Sequence, residues 1–215
     1  MKFLYSLAGA NVPVIKEFEI ENDAKVNEGD LVYFDINGKV TANTGGIVLG
    51  VSAETHTGVK DLLNERNDKD RIRVDVTQGG VYEMSPVTVV ATNDGTATTF
   101  ICSDEGLNTT VMNAKLVLVE KAEGSTNTDN IGAVRTVASS ACADGVCTMK
   151  LNEGGISCAG DVYELYPAPG TVGALSENGK DFAVSSPVPI SLAVVGRDLA
   201  RQKLEVKFRS TVFNY

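Results

Sequence analysis

The residue types that most often carry catalysis are sparse in this chain. His56 is its one histidine and lies in the polar segment E-T-H-T-G. A Ser-His-Asp or Cys-His catalyst would have to use this residue, and the sequence contains no G-x-S-x-G nucleophile motif. We therefore expect His56 to be an exposed loop residue and the chain not to be an enzyme.

Acidic and glycine-rich motifs are present but do not have the spacing of a site. Glycoside hydrolysis needs one carboxyl in an apolar pocket, and aromatic platforms usually hold the sugar. The chain has no tryptophan, so we interpret its acidic pairs as solvated turns, and its Gly-Gly pairs precede no helix or G-K-[ST] motif. We expect neither a cofactor nor a metal. The acidic pairs are Asp68 with Asp70 and Asp104 with Glu105, and the glycine pairs are Gly45-Gly46, Gly79-Gly80 and Gly154-Gly155. Asn93-Asp94-Gly95 and Asp129-Asn130 could hold calcium, but neither follows the D-x-[DN]-x-[DN]-G-x₅-E pattern of a calcium loop.

Two of the four cysteines, Cys142 and Cys147, flank the tetrapeptide A-D-G-V. Asp-Gly is typical of a hairpin turn, so the two thiols are expected to face each other across a β-ladder. Three interpretations remain open: a disulfide, half of a metal site with Cys158 as a third ligand, or small core residues. A zinc site normally needs four ligands, and His56 is far away in sequence.

Charge and hydropathy exclude several classes of partner. The formal net charge is −9 and no run of four basic residues occurs, which argues against direct nucleic-acid binding. No stretch approaches the roughly 20 apolar residues of a membrane span. The first ten residues, M-K-F-L-Y-S-L-A-G-A, resemble a signal peptide only weakly. We interpret them as an N-terminal strand or arm.

Short β-prone runs separated by turn residues predict an all-β chain. Asn37-Gly38 predicts a type I′ hairpin, and Gly50 within an apolar run predicts a bulge or a close backbone approach. A short helix or loop tip is expected between Thr55 and Asp70, and a helical turn or loop between Arg197 and Lys203. Strands are expected near 31–36, 39–42, 47–51, 71–76, 81–84, 87–90, 98–102, 114–121, 131–138, 148–151, 187–195 and 203–213.

The predicted organisation is an N-terminal arm over residues 1–20, a small β-barrel or β-sandwich domain over 21–86, and a second β-rich domain over 87–215. The segment Gly160-Asp161-Val162-Tyr163 repeats the pattern of Gly29-Asp30 and the strand that follows it. This echo leaves open whether the chain contains two related β units.

The central stretch resembles the small capsid decoration proteins of tailed bacteriophages, also called cement or head-stabilising proteins. The resemblance runs from Gly29 to Tyr82, and the long C-terminal half is a departure from it. Its motifs are Gly29-Asp30 before a strand, then Asn37-Gly38-Lys39-Val40, Gly46–Ala53, and Arg73-Val74 through Gly80-Val81-Tyr82.

This resemblance implies a structural virion protein, made in the host cytoplasm, that binds the outside of an icosahedral capsid and stabilises it. The implied partners are the major capsid protein and the chain itself, as a homotrimer or other symmetric homo-oligomer, without direct contact to nucleic acid or membrane. An apolar N-terminal segment would add a strand to a sheet edge of a capsid subunit. The residues of this predicted contact are Phe3, Leu4, Tyr5, Val12, Val14 and Ile15.

A second hypothesis is another structural or adhesive β protein. It would be a fibre, tail or vertex component, or a bacterial surface-binding module. In that case turn loops such as Glu123–Asn130 would bind a host ligand.

Overall fold

The computed structural model describes residues 1–6, 12–42, 47–59, 70–77, 79–96, 98–103, 107, 111–152, 157–175, 182–184 and 192–209. Within these ranges the chain forms antiparallel strands and no helix, which confirms the all-β class. Most of the segment between Thr55 and Asp70, where a short helix or loop tip was predicted, lies outside the described residues.

The chain divides into two compact units. The first comprises Met1–Glu83 with Lys207–Tyr215, and the second comprises Met84–Val206. The division therefore falls after residue 83, where the sequence prediction has 86, and the last residues of the chain belong to the first unit. Residues 1–6 and 12–20 belong to this unit as well.

The strands of the first unit are short. They are β1 (Lys2–Ser6), β2 (Ile15–Glu19), β3 (Lys25–Val26), β4 (Leu31–Phe34), β5 (Val40–Thr41), β6 (Ile47–Ser52), β7 (His56–Thr57), β8 (Arg71–Asp75) and β9 (Gly80–Met84). Five form a sheet in the order β2-β8-β6-β4-β5, β3 pairs with β7, and β1 pairs with β9.

Alternation of apolar and polar residues explains the core of the first unit. In β8, Ile72 and Val74 point inward while Arg71 and Arg73 are exposed. The core residues are Ile20, Val26, Val32, Val40, Leu49, Ile72, Val74 and Val76. Burying each such side chain contributes about 1.5–3 kcal/mol. The sheets stay open rather than closing into a barrel, so the barrel alternative of the prediction is not observed, although an isolated bridge joins Ile20 to Val40.

The predicted hairpin at Asn37-Gly38 is present, but its predicted turn type is wrong. A type I′ turn needs positive φ at both central residues, whereas here Gly38 has φ +76° and Asn37 is not among the residues with positive φ. The Asp35 carboxylate accepts hydrogen bonds from the backbone N–H of Asn37 and of Lys39, at 2.9 and 2.7 Å. This side chain closes a longer loop, so one left-handed residue is sufficient.

Gly50 has both features that the sequence predicted. The β4–β6 register shifts between Val32 and Tyr33, so Leu49 is the extra residue of a bulge. A Cβ atom at Gly50 would lie 2.1 Å from the carbonyl oxygen of Asp75. The backbone of β8 can approach β6 this closely only because residue 50 has no side chain.

The second unit contains β10 (Val87–Val90), β11 (Thr99–Ser103), β12 (Lys115–Glu120), β13 (Val134–Ala143), β14 (Val146–Leu151), β15 (Val162–Tyr166), β16 (Val172–Leu175), β17 (Phe182–Ala183), β18 (Leu192–Asp198) and most of β19 (Lys203–Phe208). A six-stranded sheet has the order β10-β15-β12-β13-β14-β11, and a second group has the order β17-β16-β18-β19. The predicted segment Arg197–Lys203 is the end of β18 and a tight turn with Gln202 at φ 54°.

The two Gly-Asp segments adopt the same turn. Gly29 and Gly160 have φ of +86° and +87°. The N–H of Gly29 donates to the Ser52 carbonyl and the N–H of Ser52 donates back to Asp30, each at 2.8 Å. Gly160, Ala91 and Asp161 repeat this exchange at 2.8 and 2.9 Å. Each aspartate carboxylate also accepts the backbone N–H three residues before it. The repeated Gly-Asp sequence therefore forms the same turn in both units, and a strand follows the turn in each.

Candidate partner-binding surface

An exposed apolar segment leads into β2, the first strand of the five-stranded sheet, and ends at its first residue, Ile15. Val12, Val14 and Ile15 are 71%, 44% and 41% exposed. β2 pairs with β8 on one side only among the described strands, so it is an edge strand. An edge strand presents backbone donors and acceptors to a partner, and apolar side chains beside them add buried area on binding.

A buried polar cluster holds the backbone of this segment in place. The N–H of Val14 donates to Thr77 Oγ1 at 2.7 Å, and its carbonyl accepts from Val76 at 2.9 Å. Asp75 accepts from the backbone N–H of Thr77 at 3.0 Å and from its hydroxyl. The backbone of Val14 is thereby fixed beside β8 before any partner binds, which lowers the entropy cost of binding.

Burial raises the pKa of Asp75, and the hydrogen bonds from Thr77 and the Tyr82 hydroxyl only partly offset that effect. Burial also raises the pKa of Tyr82, with the nearby Asp75 charge adding to the shift. The hydrogen bond between the two side chains links the end of β8 to β9. We interpret it as a structural anchor for the exposed segment.

The other half of the predicted contact lies in β1, which ends a different sheet. Phe3, Leu4 and Tyr5 belong to β1, which pairs with β9 of the same chain. Phe3 and Leu4 are half-buried, and the Phe3 ring packs edge-on against Tyr82 at 5.8 Å between centroids. The terminal amine of Met1 bonds the carbonyl of Gly29. Both β1 and β2 therefore end a sheet, and the six predicted residues differ in exposure: Phe3 and Leu4 are half-buried, whereas Val12, Val14 and Ile15 are exposed.

Charged residues of the edge strand pair with residues outside it. Glu19 pairs with Lys39 at 2.9 Å and Glu17 with Arg71 at 3.8 Å. The Glu19–Lys39 pair is half-buried, whereas the Glu17–Arg71 pair is exposed and of a kind that contributes about 0–1 kcal/mol to stability. Their main effect is to set the pattern of charge that a partner meets beside the apolar residues.

In the second unit, a fully buried carboxylate orders the polar loop Glu123–Asn130. Asp161 is 0% exposed and accepts hydrogen bonds from the N–H groups of Ala122 and Cys158, both at 3.0 Å, and from the Asn127 amide at 2.8 Å. Burial alone would raise the pKa of Asp161, but these donors outweigh it and leave the pKa below its ordinary value.

Asn127 links this carboxylate to the rest of the loop. Its amide also donates to the Tyr163 hydroxyl at 2.8 Å, and its carbonyl oxygen accepts the N–H of Asp129 at 2.9 Å. Asp129 pairs with Arg135. The sequence analysis considered this loop only as a possible ligand-binding turn and did not identify Asp161 or Asn127 as the residues that order it. The repeated Gly-Asp motif was the signal that could have pointed to Asp161.

The other residues singled out for chemistry have structural partners. His56 is half-buried in β7, with Nε2 2.9 Å from Asp70 Oδ1, so the expectation of an exposed loop histidine was wrong. Asp70 also accepts the N–H of Val59 at 2.8 Å. Asp94 accepts the N–H of Ala159 at 2.9 Å. Asp68, Asp104 and Glu105 lie outside the described residues.

The cysteine interpretations are now distinguishable. Cys142 and Cys147 form a disulfide, while Cys102 and Cys158 are buried and not part of one. In the part of the chain that is described, no three histidine, cysteine or acidic residues come together as a metal site. No helix in the same ranges has the length and apolar character to cross a membrane.

Comparison with known proteins adds no relative: no family model, curated protein or solved structure matches the chain significantly.

Proposed function

We propose that this chain is a structural virion protein of the capsid-decoration type, which binds the outside of an icosahedral phage capsid through the edge strand β2. The observation that carries the proposal is the exposure of Val12, Val14 and Ile15 where the chain enters the edge strand β2, with the backbone of Val14 already hydrogen-bonded. The motif resemblance of the Gly29–Tyr82 stretch supplies the class of partner.

Binding by strand addition suits this geometry. Backbone hydrogen bonds along β2 supply affinity that depends little on sequence, and the apolar side chains add contact area and fix the register. Each contact is small. Repetition over a symmetric shell, or through a homotrimer, would multiply weak contacts into tight attachment because each further contact is intramolecular.

Charge supports a protein partner rather than a nucleic acid. The net charge of −9 would repel phosphate and favour a surface with excess positive charge. Attachment should therefore weaken as salt rises, since exposed charges are screened over about 8 Å at physiological ionic strength.

The proposal is tested by adding purified protein to phage heads that lack it and separating bound from free protein on a density gradient. Val14→Lys places a charge in the edge segment and should reduce binding at least tenfold. Ile36→Lys is the matched control, since Ile36 is 100% exposed in the same unit but lies in the β4–β5 loop. Equal binding of both variants, or no binding of the unmodified chain, would contradict the proposal.

A second candidate is an adhesive β protein that binds a host ligand through the loop Glu123–Asn130. The observation favouring it is the ordered conformation of this loop, which the hydrogen bonds of Asp161 with Ala122 and Asn127 hold in place. An array of glycans and host surface extracts probed with the chain tests it. Binding that disappears in Thr128→Lys, an exposed position of the loop, would favour this candidate.

A further inference from the structure

Three of the four cysteines stand in one row across three neighbouring strands. Cys102 in β11 is the register partner of Cys147 in β14, and Cys147 is also the register partner of Cys142 in β13. Directly paired residues of antiparallel strands point to the same face of a sheet. The central cysteine therefore has a possible disulfide partner on each side.

The hairpin explains why the disulfide joins Cys147 to Cys142. Asp144 and Gly145 both have positive φ, 53° and 83°, as a two-residue type I′ turn requires. Ala143 and Val146 then form the first hydrogen-bonded pair, so the next pair outward, Cys142 with Cys147, is not hydrogen-bonded. Side chains are closest in such a pair, and the Cα atoms of these two cysteines are 4.0 Å apart.

The same geometry places Cys102 within reach. The backbone groups of Cys147 point away from β13 and toward β11, which makes Cys102 and Cys147 a hydrogen-bonded pair with an expected Cα separation of about 5.5 Å. Disulfides span Cα separations of about 4.4–6.8 Å. Cys102 and Cys142, two strands apart, are separated by roughly 10 Å and cannot bond directly.

We propose that these residues form a thiol–disulfide relay with Cys147 as the shared sulfur. The Cys102 thiolate attacks Sγ of Cys147, a Cys102–Cys147 bond forms, and the Cys142–Cys147 bond breaks to release Cys142 as a thiolate. One disulfide is exchanged for another, so the step requires no oxidant or reductant.

Exchange changes what the disulfide does and where the thiol lies. The Cys142–Cys147 bond joins residues with a sequence separation of 5, whereas the new bond would join residues with a separation of 45 (147 − 102). Longer loops gain more stability from a disulfide. Cys102 and Cys147 are buried, while Cys142 is half-buried between exposed Ala141 and Ala143. The relay thus exchanges an interior thiol for one at the surface.

Cys158 is not a competing nucleophile in this geometry. It precedes β15, which is three strands away from β14 in the sheet order, and its sulfur lies 3.3 Å from Thr126 Oγ1. Cys158→Ser therefore removes a thiol and leaves Cys102, Cys142 and Cys147 unchanged.

The relay is tested by incubating the native protein with excess N-ethylmaleimide at pH 6.5 and pH 7.5, then mapping labelled and disulfide-linked peptides. We expect label on Cys142 together with a Cys102–Cys147 disulfide, forming about tenfold faster at the higher pH because only the thiolate attacks. Cys158→Ser should behave in the same way, and Cys102→Ser should lose the Cys142 label. Label on Cys102 with Cys142–Cys147 intact, or label on Cys142 in Cys102→Ser, would overturn the proposal.

A second variant tests the product without depending on the exchange rate. Cys142→Ser treated with oxidised glutathione should form the Cys102–Cys147 disulfide, with two glutathione thiols released. A stable glutathione adduct on Cys147 without that disulfide would show that Cys102 cannot reach it, and this result would also overturn the relay.

Discussion

At the scale of single residues, Asp75 is the buried acid whose environment favours its neutral form. Burial raises its pKa, so the folded state binds a proton more readily than the unfolded chain does. Its contribution to stability is therefore largest at low pH and declines as pH rises from the unfolded pKa through the raised folded pKa. In the folded protein, Thr77 and Tyr82 hydrogen-bond to the Asp75 side chain whether it is protonated or ionised.

Substitution of Asp75 should separate the role of its charge from that of its hydrogen bonds. We expect Asp75→Asn to change the free energy of unfolding by less than about 1 kcal/mol at pH 7, because an amide retains an acceptor for Thr77 and carries no charge to desolvate. Asp75→Ala should cost about 2–4 kcal/mol, because it leaves buried donors unpaired. Urea unfolding measures both, and equal losses would contradict this account.

Asp161 should have the opposite pH dependence. Its folded pKa is lowered, so its stabilisation is present above the unfolded pKa and is lost as pH falls from there through the folded pKa. We expect acid unfolding of Asp161→Asn to show less pH dependence below about pH 4, the ordinary range of aspartate. Circular dichroism from pH 7 to pH 2 measures this. If Asp161→Asn unfolds in acid over the same pH range as the unmodified protein, Asp161 does not stabilise the fold through its lowered pKa.

Asp161 also shows which residue roles local patterns cannot predict. Its partners Ala122 and Asn127 are 39 and 34 residues away in sequence, so no window of ordinary length contains the cluster. The Cys142–Cys147 contact was accessible to prediction because a two-residue turn specifies its own register. The His56–Asp70 pair needed the tertiary fold.

At the scale of elements, β6 is defined by the glycine at its bulge. Gly50→Ala should cost at least about 3 kcal/mol, because its Cβ would meet the backbone of Asp75, which cannot rotate away as a side chain can. Gly38→Ala is the matched control in the same unit. A Cβ atom at Gly38 would meet no other atom, and only the positive φ disfavours alanine there, so we expect a loss of about 1–2 kcal/mol in the free energy of unfolding. Thermal unfolding of the two variants measures the difference, and equal losses would contradict a close approach at Gly50.

Most strands could be predicted from alternation and turn residues, and β10 was predicted with its observed bounds, Val87–Val90. What the pattern could not specify was pairing. Phe3–Tyr5 has the composition of an arm or an edge strand, and its pairing with β9 depends on a contact almost 80 residues away. The turn type at Asn37-Gly38 was missed for a different reason, since Asp35 closes the loop through its side chain.

At the scale of the whole molecule, two units each contain the same Gly-Asp turn followed by a strand. The capsid-decoration proposal assigns the contact to the first unit, through β2, and the adhesive alternative assigns it to the loop Glu123–Asn130 of the second. Both describe a binding protein rather than a catalyst. They differ in which residues face the partner, so variants of Val14 and Thr128 distinguish them.

The central claim is tested most directly by electron microscopy of intact particles from the phage that would encode this chain, labelled with gold-conjugated antibody against it. The account predicts label in a regular array on the outside of the capsid, and a reconstruction with β2 against the major capsid protein. Label on the tail fibres alone, or particles without the chain, would contradict it.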